Sequence, residues 1–207
     1  MNTQKRLNYA FYTMFHPGDG FYEIRYREKG SVKLAFFMVV LFSLSFSVNK
    51  RYASFVVNPH NVLWTNSLTD LLAIAAFYLL FCIANWSITC LMEGEGRLKD
   101  IMTVTGYATL PLLCTLVPCT LLSYIIAENE QAFYYLILTI SVLWFLFLVI
   151  VGIMRVHNYT FGKTVITAIL TFASMIVILF VILLMVTIVQ QLFLFIQSIY
   201  TELVFSV

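Results

Sequence analysis

The segment from Glu93 to Asp100, with the sequence EGEGRLKD, is the most polar stretch between the apolar segments of the chain. Its carboxylates stand beside mobile glycines, and carboxylate oxygens are the ligands that divalent cations such as Ca²⁺ prefer. The same acidic groups could bind a basic patch of a partner. A simpler interpretation is that Gly94 ends one helix and Gly96 turns the chain towards the next, with Glu95 between them. We favour this second interpretation and expect no metal and no cofactor.

The chain has three histidines, His16, His60 and His157. An enzyme within a membrane needs paired carboxylates, a Ser–His pair or metal ligands at matched depth. None of the histidines has a metal-ligand partner at helical spacing, and His157 is expected at the water-facing edge of an apolar segment. We therefore predict no catalytic residue and no enzymatic activity.

The four cysteines all lie inside apolar stretches: Cys82, Cys90, Cys114 and Cys119. A thiol in apolar surroundings is a poor nucleophile and a poor metal ligand. We interpret all four as small packing residues.

Two neighbouring residues, Asn85 and Trp86, interrupt the apolar character of one segment. An asparagine within a membrane can form a hydrogen bond to another helix. A tryptophan at the same level can pack in the same contact or anchor the helix at the interface.

A later apolar segment opens with Gly106, Tyr107 and Pro111 and contains Pro118. Each proline removes a backbone donor, so the segment should bend. We expect Tyr107 at the head-group level and Pro111 in the first helical turn, where the missing donor costs least. Pro118 is then expected to carry most of the bend.

The elements that hold these residues are predicted from composition. Of the 207 residues, 61% are hydrophobic and 11% are charged, and the mean hydropathy is +0.92. Soluble domains are about 45–50% apolar and about 25% charged, so this chain belongs to a lipid environment. The net charge of +2 is too small to indicate a nucleic-acid partner.

Five apolar runs are long enough to cross about 30 Å of hydrocarbon. They cover residues 32–48, 71–92, 107–127, 132–154 and 164–189. The last run stays apolar beyond any single span, so we expect a spanning helix that ends near Val189, followed by an amphipathic continuation at the interface. The fold class is thus all-α, a five-helix transmembrane bundle over residues 32–207.

The orientation follows from the distribution of Lys and Arg. Ten of the 12 lie in the N-terminal segment or the loops after the second and fourth spans, which share one side. Positive residues favour the cytoplasm. We predict a multi-pass protein of the cell membrane with a cytoplasmic N-terminus and an extracytoplasmic C-terminus.

The segment of residues 1–31 is predicted to be cytoplasmic or interfacial. Leu7, Ala10, Phe11, Met14 and Phe15 recur at the spacing of one helix face. A short basic amphipathic helix beside a membrane lies on its surface. We expect a second interfacial helix after the break at residues 16–20.

The order of these motifs resembles the Yip domain family, named for its interaction with Ypt/Rab GTPases, and in particular its bacterial branch. The resemblance rests on the pair Asn85-Trp86, on Gly94-Glu95-Gly96, on the signature Gly106-Tyr107-x-x-x-Pro111, and on the segments His16-Pro17 to Gly30-Ser31 and His157-Asn158-Tyr159. It implies five spans, a cytoplasmic N-terminus and a role in shaping or organising membranes. Because the long acidic, Pro-rich N-terminal region of the eukaryotic relatives is lacking, a Rab-type GTPase is not an expected partner.

The function expected from these features is that of a non-enzymatic membrane scaffold or accessory subunit. Its partners would be the lipid bilayer and another membrane protein, such as a transporter complex, or a second copy of itself. The alternative is a passive transporter or channel component for a small solute, since the predicted bend of the third span could gate a pathway.

Overall fold

In the computed structural model, which describes residues 3–58 and 66–205, these residues form eight α-helices and no strand. His60 lies outside the described residues. The helices are α1 Thr3–Phe15, α2 Pro17–Tyr26, α3 Val32–Tyr52, α4 Ser67–Leu91, α5 Leu98–Ala108, α6 Leu110–Leu122, α7 Gln131–His157 and α8 Phe161–Phe205.

Five segments of these helices are long and apolar enough to cross a membrane. Helices α3, α4, α7 and α8 each provide one such segment, and α5 and α6 together provide the remaining one. The predicted all-α membrane bundle is therefore confirmed. The helices extend beyond the apolar runs at most ends, because polar residues can continue a helix past the hydrocarbon.

Local signals in the sequence account for several helix ends. Asn66 caps α4, since its side chain accepts a hydrogen bond from the Leu68 N–H at 3.0 Å. Asn158 ends α7 by adopting a left-handed φ of 54°, a conformation that asparagine tolerates. The chain then turns directly into α8.

The five apolar segments alternate in direction, which gives the bundle two ends. We call the end that carries the starts of α3, α5 and α8 and the ends of α4 and α7 the near end. The opposite end is the far end. The loop between α4 and α5 and the connection between α7 and α8 both lie at the near end, as do the starts of the helices that follow them.

The first two helices form a hairpin that packs against the bundle. The Tyr9 hydroxyl donates to the Gly20 carbonyl at 2.6 Å, and a Cβ on Gly20 would lie 2.6 Å from the Thr13 Cγ2. The Trp144 indole N–H on α7 donates to the Met14 carbonyl at 3.3 Å. The hairpin is thus held against α7 by specific contacts, as well as by its amphipathic pattern.

The main core takes buried residues from all eight helices. Phe21, Leu148 and Val104 are almost fully buried within it. Gly152 makes this packing possible, since a Cβ there would lie 2.1 Å from a Val104 methyl group. A small residue at such a position lets two helix backbones approach closely.

The third span differs from its prediction. It begins as helix at Leu98, before the apolar run, and is interrupted at Thr109, where α5 ends and α6 begins. Pro111 lies in the first turn of α6, as expected. The helix continues through Pro118, and the break in the span lies at Thr109. The expectation that Pro118 carries most of the bend stays a prediction.

The last helix is one uninterrupted element of 45 residues. At 1.5 Å per residue it is about 67 Å long, more than twice the hydrocarbon thickness. The helix itself does not end near Val189, since it continues without a break to Phe205.

Candidate functional site

The loop between α4 and α5 lies directly on the C-terminal residues of α7. A Cβ on Gly94 would lie 2.5 Å from His157 Nδ1 and 2.6 Å from the Tyr159 hydroxyl. A Cβ on Gly96 would lie 2.5 Å from His157 Cε1 and equally close to a Val156 methyl group. Both positions therefore require glycine, because the side chain of any other residue would push the loop away from α7.

The end of α4 corrects the expected role of Gly94. The residue with a left-handed backbone is Glu93, with a φ of 58°, and no described glycine has a positive φ. The Gly94 N–H donates to the Thr89 carbonyl at 2.7 Å. The helix thus ends in the expected place. Glycine is required at position 94 by the close contact with His157 and not by a left-handed backbone.

His157 is the last residue of α7, at the predicted edge of the span. It is buried, with 1% of its surface exposed, so its side chain packs inside the protein. Its Nδ1 accepts a hydrogen bond from the Gly96 N–H at 3.1 Å. An Nδ1 that accepts carries no hydrogen, so the neutral imidazole holds its hydrogen on Nε2. Nε2 has no hydrogen-bond partner among the described residues.

Tyr159 connects α7 to the end of α4. Its hydroxyl donates to the Met92 carbonyl at 3.0 Å and lies 3.4 Å from the Thr89 carbonyl, and its ring stacks on His157 with centroids 5.3 Å apart. Burial raises the pKa of this phenol, so the hydroxyl stays a donor at neutral pH. The hydroxyl thus satisfies the Met92 carbonyl, at the end of α4, where carbonyls lack a partner within the helix.

An ion-pair network fixes the other side of the loop. Arg25 on α2 pairs with Asp100 at 3.2 Å and also donates to the Glu95 carbonyl. The Arg97 Nε lies 2.9 Å from the same carboxylate. Asp100 is almost fully buried, so two cations compensate one buried charge, and α2 is tied to the start of α5.

Exposed pairs continue this network over the surface. Glu28 contacts Lys99 at 3.0 Å and Arg97 at 3.2 Å. Glu23 pairs with Lys29 at 2.6 Å and Arg27 at 2.7 Å, and the hydrogen bond from Lys29 lowers the pKa of the Glu23 carboxyl.

Three acidic residues of this end, Asp100, Glu28 and Glu23, therefore bind cations of the protein itself. The Glu95 carboxylate accepts a hydrogen bond from the Tyr26 hydroxyl at 3.1 Å. Within residues 3–58 and 66–205 no group of three His, Cys, Asp or Glu is placed to hold a metal ion. The arrangement joins four helices and presents a folded polar surface.

Gly106, Tyr107 and Pro111 have three distinct structural roles. A Cβ on Gly106 would lie 2.6 Å from the Ala35 Cβ, so this glycine allows α5 to cross α3 closely. The Tyr107 ring is buried and its hydroxyl accepts the Ser31 N–H at 3.2 Å, at the residue before α3. Pro111 follows the interruption between α5 and α6.

Asn85 forms a hydrogen bond between helices. Its side-chain N–H donates to the Thr171 hydroxyl on α8 at 3.1 Å, and both residues are fully buried. Its Oδ1 has no partner among the described residues. The neighbouring Trp86 is 42% exposed on the outside of the bundle.

The remaining predicted positions do not join this site. Pro118 lies on α6, away from the near end, and the four cysteines are unpaired. Sequence reasoning named the segments that contain Asp100 and Tyr159, but it missed the pairing of Asp100 with Arg25 and the contact of Tyr159 with the end of α4. Arg25 and Asp100 lie in polar segments on the same predicted side of the membrane, but nothing in their spacing indicates that they pair.

Comparison with known proteins gives one match. A family model described as the Yip1 domain matches residues 11–200. No curated protein and no solved structure matches the chain.

Proposed function

We propose that this chain, which belongs to the Yip1 domain family of membrane proteins, is a non-enzymatic membrane scaffold or accessory subunit that binds another membrane protein through α8. The near end, with its ion pairs and buried His157, is then the rigid base from which α8 projects. We further propose that this end faces the cytoplasm, in agreement with the positive residues that it carries.

The observation that carries the proposal is the exposure of α8. Every described side chain from residue 179 to residue 205 is exposed. Most of these residues are large and apolar, and they occur on all faces of the helix. Because the helix is about 67 Å long, lipid hydrocarbon of about 30 Å cannot cover it in an upright position. A partner protein would cover the remaining apolar surface.

Three glutamines in this exposed part also support a protein partner: Gln190, Gln191 and Gln197. In an apolar environment an amide side chain is stabilised by hydrogen bonds to another helix. All three are exposed in the single chain.

Photo-crosslinking in native membranes tests this proposal. A photoreactive residue is placed at Leu183 or Phe193 on the exposed part of α8, or at Met175 as the control. Met175 lies on the same helix but is buried within the chain. We expect one recurring protein adduct from the two exposed positions and none from Met175.

The identity of the adduct decides the form of the proposal. A recurring adduct with a different membrane protein supports an accessory subunit, whereas an adduct with a second copy supports self-association through α8. Adducts with lipid alone, or protein adducts that do not recur between preparations, would overturn the proposal.

A further inference from the structure

A cavity of about 330 Å³ lies where α7 and α8 separate, and α3, α4 and α5 close its inner side. Val39, Tyr78 and Val149 are buried at its floor. An engineered apolar cavity of about 150 Å³ is large enough to bind benzene. The cavity of about 330 Å³ is larger than that and lies within the range of ligand sites, which begins at about 300 Å³.

The mouth of the cavity opens on the outside of the bundle at the level of the spans. Its rim includes Phe77, Leu146 and Phe172, which are 59%, 45% and 53% exposed. The exposed surface within the cavity is apolar. A molecule that enters through this mouth comes from the hydrocarbon of the bilayer, and water has few polar groups to bind there.

The cavity is elongated along the helices. Its lining runs from Phe145 to Ile153 on α7 and from Thr164 to Phe172 on α8. Each stretch covers two helical turns, or about 12 Å. A slot of this length along two spanning helices matches a flexible, linear, apolar group better than a compact one.

A cation lies one residue before the point where the lining of the slot begins on α8, although it does not itself line the cavity. Lys163 directly precedes Thr164, and its Nζ lies 4.5 Å from the centre of the Tyr159 ring. Among the described residues no carboxylate lies within ion-pair distance of Lys163. The slot thus combines an apolar interior with an uncompensated positive charge at the level where its helix begins.

We propose that this cavity holds one acyl chain of an anionic phospholipid from the leaflet at the near end, with the lipid phosphate beside Lys163. Charge complementarity selects this occupant, since an apolar chain and a negative head group are joined in one molecule. The proposal does not depend on a protein partner of α8, because the exposed part of α8 lies beyond the residues that line the cavity.

Native mass spectrometry of the detergent-purified full chain tests the site with added phosphatidylglycerol or phosphatidylcholine. We expect one tightly retained phosphatidylglycerol. Ala168→Phe fills the slot from α8 and should weaken its binding by about tenfold or more, and Ala168→Leu should weaken it less. Ala173→Phe is the matched control, because Ala173 is exposed on the same helix and does not line the cavity.

The charge is tested by Lys163→Gln. A lysine near an anionic lipid contributes about 1 kcal/mol, so phosphatidylglycerol should bind about fivefold more weakly while phosphatidylcholine is unchanged. Lys33→Gln is the control, because Lys33 is an exposed cation at the same end and neither of its chain neighbours lines the cavity.

Two results would overturn the proposal. One is retention of phosphatidylglycerol by both Ala168 variants at the level of the control. The other is a lipid-free dimer in which a cysteine at Leu146 crosslinks to a second copy, which would show that protein occupies the mouth. Thermal unfolding of each variant establishes that it is folded, and the smaller Ala168→Leu keeps the test decisive if Ala168→Phe does not fold.

Discussion

At the residue scale, the packing of the near end requires glycine, which has no side chain, at positions 94 and 96. The loop of Gly94 and Gly96 contacts the buried His157 ring, and the Gly96 N–H binds its Nδ1. These close contacts are the reason why both positions need glycine. The left-handed backbone that ends α4 is adopted by Glu93.

Gly96→Ala is therefore expected to lower the thermal stability of the purified protein. The new methyl group would lie 2.5 Å from both His157 and Val156, and overpacking of this kind costs about 1–3 kcal/mol. Gly162→Ala is the matched control, since a Cβ at Gly162 meets nothing within 4 Å. Thermal unfolding in one detergent measures both variants, and equal stability would contradict the close contact of the loop with α7.

At the element scale, the third span is the most irregular part of the bundle. Its first half packs against α3 through Gly106 and through the Tyr107 hydroxyl, and its second half begins again after Thr109. Both halves pack against α3 and α7, and the first half also packs against α2 and α4. The interruption allows the two halves to follow these neighbours in different directions. Pro111 stabilises this arrangement because it has no N–H to donate to the Tyr107 carbonyl.

Pro111→Ala should consequently reduce thermal stability more than Pro118→Ala. Alanine at position 111 restores the donor and favours one continuous helix, which would pull α6 away from its neighbours. Pro118 already lies within a continuous helix, so alanine there should be neutral or slightly stabilising. A larger loss of thermal stability for Pro118→Ala would instead support the interpretation that this deeper proline shapes the span.

At the scale of the whole molecule, the two ends of the bundle differ in charge. The near end carries the Arg25–Asp100 network and further cations, whereas the described ion pair at the far end joins Lys50 to Asp70 at 3.0 Å. This asymmetry is the physical basis for the predicted orientation.

Single cysteines test the orientation in a background that lacks the four natural cysteines. Asn129→Cys, in the exposed far-end loop, should react with an impermeant maleimide from outside the cell. Lys99→Cys, exposed at the near end, should react only after the membrane is opened. Gly96 is unsuitable for this purpose because it has no room for a side chain. Reaction of both positions from outside would contradict the five-span topology.

The sequence by itself determined the class of the fold and most of its elements. Apolar runs separated by polar loops depend on local composition, so the spans and the end of α4 near Gly94 could be predicted. The predicted break at residues 16–20 is shorter in the structure, because α2 already begins at Pro17. The motif order also indicated the family, which the match over residues 11–200 shows.

The tertiary structure alone decided what these residues contact. The burial of His157, the pairing of Arg25 with Asp100 and the bond from Asn85 to Thr171 join residues that are 61 to 86 positions apart. Nothing in the local pattern fixes such contacts, because they depend on how the helices cross. The same reason applies to the cavity beside Lys163: its walls come from five helices, and their separation is set by packing rather than by any one segment of the chain.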